Sequence, residues 1–158
     1  MIGRFSPQVS PEEARDSVGD YLTSNDIPAH CLRARHKLRA RAKGFEALGP
    51  TGPYLVGVDE NPDPRALRMG IDVHGDRMKD SSTDPMQFSW ADQVSFAPRL
   101  VLLEPGDVIV AGTPEGGGQS FDPPVFLSQG NQLEAWEDGF EVVRNSGADD
   151  LDHRFPSA

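Results

Sequence analysis

The sequence predicts a mainly β, α+β domain with a few short helices, and three observations carry that prediction. Gly 16 and Pro 14 among 158 residues make turn formers abundant. Hydrophobic content is a modest 37%, and the apolar residues fall in short runs rather than in the long periodic stripes of a helical bundle. The clearest run is Val108-Ile109-Val110, a β-branched triplet of the kind that is buried on both faces of a sheet. Turn chemistry surrounds it. Pro105-Gly106 supplies the fixed and the free φ of a type II turn, Gly112-Thr113-Pro114 allows a sharp exit, and Gly116-Gly117-Gly118 makes a flexible loop. That exit leaves one hydroxyl and several backbone N–H groups where a carboxylate could be held. A tight turn followed by a plain loop is the other reading.

Length and charge bound the rest. A chain of 158 residues suits one domain with a real core, here residues 1–146, followed by a polar tail at 147–158 that is expected to be disordered. The net charge of −10 would repel nucleic acid and acidic membranes. Cys31 has no second cysteine to pair with and fits a reducing compartment. No apolar run approaches the roughly 20 residues that span a bilayer, and no signal-peptide core opens the chain. The expected location is cytoplasmic, with no membrane partner.

Taken in order, Ser10-Pro11-Glu12-Glu13 reads as a helix start with a capping box, and a helix over 11–18 would be closed by Gly19. A strand at 21–23 delivers Asn25-Asp26, for which an Asx turn is the local structural reading. From residue 33 to 43, Arg33, Arg35, Lys37, Arg39, Arg41 and Lys43 recur at every second position. On an extended segment they share a face. They suit a carboxylate-attracting rim, a solvated loop that balances the acidic surface or, less well, an RNA-binding strip. A strand over 67–73 turns at His74-Gly75 into 77–80, Ser89 caps a helix over 90–96 ended by Pro98, and a turn at 127–131 feeds a further strand before a last one at 141–145.

These segments together resemble the fumarylacetoacetate hydrolase family. The stretch 103–118, LEPGDVIVAGTPEGGG, with Pro123-Pro124-Val125-Phe126-Leu127 after it, is similar to the family's L-x-P-G-D-V-I-x-T-G-T-P-x-G-V-G and P-P-x-x-L. Residues 11–26 are similar to P-E-E-A-x-x-x-V-x-G-Y-x-x-x-N-D, and 43–56 to K-S-F-D-x-F-x-P-x-G-P-W-L-V. Ser81 to Phe88 resembles S-x-T-x-x-M-I-F, and the end near Asn145 resembles G-x-L-x-N. The resemblance implies the family's β-sheet roll, a distorted sandwich or barrel of mixed sheet. It makes Asp26 a ligand of Mg²⁺ (or Mn²⁺ or Ca²⁺), places Lys43 in the site as a catalytic and substrate-binding ammonium, and gives Thr113 and Gly112 to substrate. By itself a single lysine is more often a surface residue.

Departures from the family pattern cluster around Asp26. The upstream Glu-x-Glu pair that completes the family's three-carboxylate site has no counterpart before Asp26, and Glu12-Glu13 point in different directions on a helix. Against the family's N-D-V-S-A-R-D-x-Q, the chain carries His30, Cys31 and Arg33. Arg33 takes the place of a substrate-contacting Gln, and His30 could serve as a substitute base since its ordinary pKa lies near neutrality. One carboxylate in water holds a divalent cation weakly, so weak metal binding by this chain alone is expected.

The implied function is metal-assisted C–C hydrolysis, isomerisation or decarboxylation of a small acidic β-diketone or 2-oxo-enol substrate, in catabolism. A homodimer, or pairing with a chain that supplies the missing ligands, goes with it. A catalytically degraded member acting as a binding or scaffolding subunit is the alternative, and a β-rich carboxylate-binding domain using the basic stretch is a third reading.

Overall fold

The structure is a computed structural model that describes residues 1–5, 8–28, 43, 48–61 and 63–147. The expected tail beyond Gly147, His30, Cys31, Arg33 and the basic stretch up to residue 42 lie outside the described residues. Two antiparallel sheets dominate. In the smaller, β1 (Asp20–Ser24) pairs with β2 (Thr51–Gly57), from Asp20 opposite Gly57 to Ser24 opposite Thr51. The larger contains β3 (Arg68–Val73), β4 (Asp76–Ser82), β5 (Gln132–Glu137) and β6 (Val143–Ser146) in the order β4-β3-β5-β6. The sheets meet where β1 approaches β5 and β2 approaches β6. The mainly β class with few short helices holds.

Local chemistry explains the elements. His74 and Gly75 have φ of 53° and 86°, the two positive values that a two-residue hairpin turn between β3 and β4 demands. The helix α1 (Trp90–Phe96) starts where Ser89 Oγ accepts the Asp92 N–H at 3.1 Å and the Asp92 carboxylate accepts the Ser89 N–H at 2.9 Å, a reciprocal capping box. The helix expected over 11–18 shrinks to one 3₁₀ turn, Ala14–Ser17. Only half of its capping box forms, with the Ser10 N–H donating to the Glu13 carboxylate at 3.1 Å. The tighter winding puts Ala14 and Ser17 on one side, and both are buried.

Register sorts the larger sheet into two unlike faces. Ile71 lies opposite Lys79 and Ala135, and Met69 lies opposite Ser81 and Glu137; since side chains alternate, these six residues share one face. The other face is a layer of ion pairs. Arg68 pairs with Asp80, Arg77 with both Asp72 and Asp80, and Arg144 with Glu134. The Arg77 guanidinium also lies 4.4 Å from the centre of the Trp136 ring. A bulge between Ile71 and Asp72 brings Arg77 to this side.

The principal core is small and gathers around Ile2, Ala14, Val94 and Leu103, with Val9, Val18, Trp90 and Ile109 packed against it. Tyr21 meets Trp90 edge-on at 6.3 Å. The N-terminal residues bind the 103–118 stretch directly, since the Ile2 N–H donates to the Asp107 carbonyl at 2.8 Å and the Gly106 N–H to the Ile2 carbonyl at 2.9 Å. The type II turn is present, with Gly106 at φ 97° and the Asp107 N–H on the Glu104 carbonyl at 3.1 Å.

The expectation of a doubly buried strand at 108–110 does not hold. The run makes no ladder, and only Ile109 packs on the core, while Val108 and Val110 are 46% and 49% exposed. Composition marks a run as β-like, but a ladder partner and a covering layer decide its burial, and here both valines look into a cavity. Leu100, Val101 and Leu102, just before it, are more than half exposed. Among the described residues no helix is long and apolar enough to cross a membrane.

Candidate active site

The end of β1 positions the first polar group. Beyond Ser24 the chain is tied to the segment preceding β2, the Asn25 N–H donating to the Pro50 carbonyl at 3.0 Å and the Ile27 N–H to the Leu48 carbonyl at 2.8 Å. Asp26 sits between these two anchors, and its carboxylate accepts from the Lys43 ammonium in an ion pair. Asp26 also lines a small cavity together with Thr23, Asn25, Lys79, Gly112 and Thr113. Asp26, Gly112 and Thr113, from two distant motifs, therefore meet at one cleft, and Lys43 reaches it through Asp26. His30 and Arg33 are outside the described residues.

Thr113 is held by a residue that the motifs did not single out. The Lys79 Nζ donates to Thr113 Oγ1 at 2.9 Å. Burial lowers the Lys79 pKa from its ordinary value, the Asp26 carboxylate working in the opposite direction. The wall that carries Thr113 is steadied from α1, where the Gln93 side-chain amide donates to the Ala111 carbonyl at 3.0 Å. Gly112 has φ of 128°, a backbone conformation closed to most side chains.

Glu137 is the second group that the motifs missed. It stands on the same sheet face as Lys79 and lines both the small cavity and a much larger neighbour. Burial pushes its carboxyl up to about 7, so near neutral pH it can give or take a proton. A signal for it was present in the sequence. Leu133, Ala135 and Glu137 alternate along one strand face, which puts a carboxyl on an apolar side. Lys79 gave no comparable signal, because the bulge in the β3–β4 pairing decides which side of β4 its neighbours occupy.

Metal chemistry requires a ligand set that the described residues do not provide. No three His, Cys, Asp or Glu side chains gather as candidate ligands among them, and Asp26, the carboxylate at the cleft's edge, is engaged by Lys43. A divalent cation needs more oxygen donors than one shared carboxylate. What the cleft does hold is a concentration of donors around Thr113, suited to an anionic oxygen.

Comparison with known proteins identifies the family and the fold. The family model described as "Fumarylacetoacetate (FAA) hydrolase C-terminal" matches residues 1–146. The chain is 33% identical over 145 residues to the oxaloacetate tautomerase YisK of Bacillus subtilis, an alignment covering 92% of this chain and 48% of that protein. Among solved structures, fumarylacetoacetate hydrolase from psychrophilic Exiguobacterium antarcticum superposes with a TM-score of 0.87 at 31% identity, over 92% of this chain and 52% of that one. Fumarylpyruvate hydrolase from Pseudomonas aeruginosa, in complex with Mn²⁺ and pyruvate, gives a TM-score of 0.80 at 26% identity, over 90% and 60%. The chain spans about half the length of the curated relatives it matches.

Proposed function

The chain belongs to the fumarylacetoacetate hydrolase family, and from that premise we propose that it acts on small acidic β-diketone or 2-oxo-enol substrates by C–C hydrolysis, isomerisation or decarboxylation. The observation that carries this reading is the meeting of Asp26, Gly112 and Thr113 at one cleft with the ammonium groups of Lys43 and Lys79 beside them. Reactions of this class place negative charge on a carbonyl or enolate oxygen. Preorganised donors around that oxygen lower the barrier most effectively.

In the proposed arrangement Thr113 and the two lysines hold the anionic oxygens, and the Glu137 carboxyl exchanges a proton with the substrate carbon or oxygen that faces the shared wall. His30 and Arg33 are proposed as base and carboxylate contact. Residues 1–146 would form one catalytic-type domain. Mg²⁺, Mn²⁺ or Ca²⁺ would be held weakly through Asp26, and a second copy or another chain would supply the further carboxylates. An acidic composition and a single cysteine support work in the reducing cytoplasm.

Ultraviolet measurement of the keto–enol interconversion of oxaloacetate and of acylpyruvate cleavage tests the reading. The expected result is a rate above buffer that Thr113→Val and Lys43→Ala each reduce at least about tenfold, the worth of a lost donor to a developing oxyanion. Tight binding of these acids with no turnover, with or without divalent cation, would favour the alternative of a degraded subunit that only binds.

A further inference from the structure

Lys79 is held differently from the other cations near it. Arg65, Arg68, Arg77, Arg144 and Lys43 each reach a carboxylate, whereas Lys79 Nζ donates to the neutral hydroxyl of Thr113 at 2.9 Å. Asp26 lines the same small cavity, but its carboxylate is already engaged by Lys43. The Lys79 stem crosses the more apolar face of the larger sheet, with Ile71 directly opposite and Ala135 beyond it. From above, the glycine-rich loop closes on that stem, for a methyl group at Gly116 would lie 3.4 Å from Lys79 Cγ. Thr113 fixes the head and the loop fixes the stem.

A lysine amine among apolar neighbours is a nucleophile as well as a charge, and it adds to carbonyl carbon to give an imine. Space for such a reaction lies beside it. The small cavity encloses about 30 Å³, room for a group the size of one water. It shares Thr113 and Glu137 with a neighbour of about 640 Å³, so a carbonyl carried by a molecule lodged in the larger cavity reaches Lys79 past Thr113. Glu137 stands on the same sheet face as Lys79. Its carboxyl keeps its proton up to about neutral pH and so supplies the acid that expulsion of water requires.

We propose that Lys79 is a covalent catalyst that forms an imine with the keto group of 2-oxo acids, with Glu137 as its proton donor and acceptor. For the substrate class this rests on the function proposed above; the covalent step is new. The amine nitrogen adds to C2, and the resulting hydroxyl leaves as water with the Glu137 proton. The iminium then takes up the electron pair released when a C3–H or C3–carboxylate bond breaks, which gives an enamine and a proton or carbon dioxide. A proton returns to C3, water adds to C2, and the amine departs. Water is released once and consumed once, and no oxidant or reductant takes part.

Reductive trapping tests the step. Cyanoborohydride converts an imine to a stable secondary amine, so the full chain treated with pyruvate and this reductant in EDTA, then digested and weighed by mass spectrometry, reports which amine reacted. The sequence has three lysines, Lys37, Lys43 and Lys79, and the first two serve as internal controls. The carboxyethyl adduct is expected on Lys79 at least about tenfold above either of them. Lys79→Arg keeps the charge and a donor for Thr113 but forms no imine. It should lose both the adduct and the decarboxylation of oxaloacetate above buffer in EDTA, with circular dichroism matching the parent protein. Equal labelling of the three lysines, label confined to Lys37 or Lys43, no adduct, or undiminished decarboxylation by Lys79→Arg would each overturn the covalent step. Turnover that needs Mg²⁺ and survives Lys79→Arg would overturn it and leave the proposed reaction class standing. An adduct on Lys79 with no turnover of oxaloacetate or acylpyruvate would overturn that reaction class instead.

Discussion

Gly70 lies opposite Trp136 in the β3–β5 ladder, so close that a methyl group at Gly70 would sit 2.4 Å from the indole Cζ2 and 2.3 Å from the Lys79 carbonyl oxygen. The absent side chain is what lets the indole lie flat beneath the Arg77 guanidinium. Gly70→Ala is expected to destabilise the protein by about 1–3 kcal/mol, the usual cost of overfilling a packed site. Chemical denaturation followed by tryptophan fluorescence measures it. An unchanged midpoint would mean that the ring has room to step aside.

Glu137 should make stability depend on pH in a particular direction. Its folded-state pKa of about 7 lies above the ordinary 4.5, so the folded protein keeps this proton where the unfolded chain has lost it. Its contribution is full below pH 4.5 and is lost as pH rises to 7, by at most about 3 kcal/mol. Glu137→Gln should therefore raise the thermal midpoint at pH 8 and change it little at pH 4.5. A parallel shift at both pH values would assign the effect to packing instead.

For metal, the expected outcome follows from counting donors. Mg²⁺ gives up its water reluctantly and rarely stays on a single carboxylate, so calorimetry on the 158-residue chain should find binding no tighter than millimolar, roughly −4 kcal/mol. Asp26→Ala should remove even that. Micromolar affinity would mean that ligands beyond Asp26 converge on the cation.

The capping box of α1, the helix that steadies the Thr113 wall through Gln93, offers a further stability test. Ser89→Ala removes the acceptor for the Asp92 N–H and should cost about 1 kcal/mol, with Ser89→Thr largely restoring it. Urea midpoints of the three proteins decide the point, and identical midpoints would mean that solvent replaces the cap.

Much of the fold was legible wherever local chemistry decides structure. The His74-Gly75 hairpin, the Ser89 cap and the Pro105-Gly106 turn each depend on residues within a few positions, and each is present. The 108–110 run was misread because its burial depends on what lies across from it, which no window of sequence contains. In the cleft, Asp26, Lys43, Gly112 and Thr113 stood out through their motifs. Lys79 did not, because its place beside Thr113 arises from a strand register and a bulge. Glu137 could have been found from alternation alone.

The bare side chains of Leu100, Val101 and Leu102 bear on how the protein behaves as a solute. A net charge of −10 opposes non-specific association through these side chains. That protection is electrostatic and therefore removable. As pH falls toward the sequence pI of about 4.7, or as salt shortens the reach of the charge, light scattering should rise steeply from a solution that stays clear at pH 8 and low ionic strength.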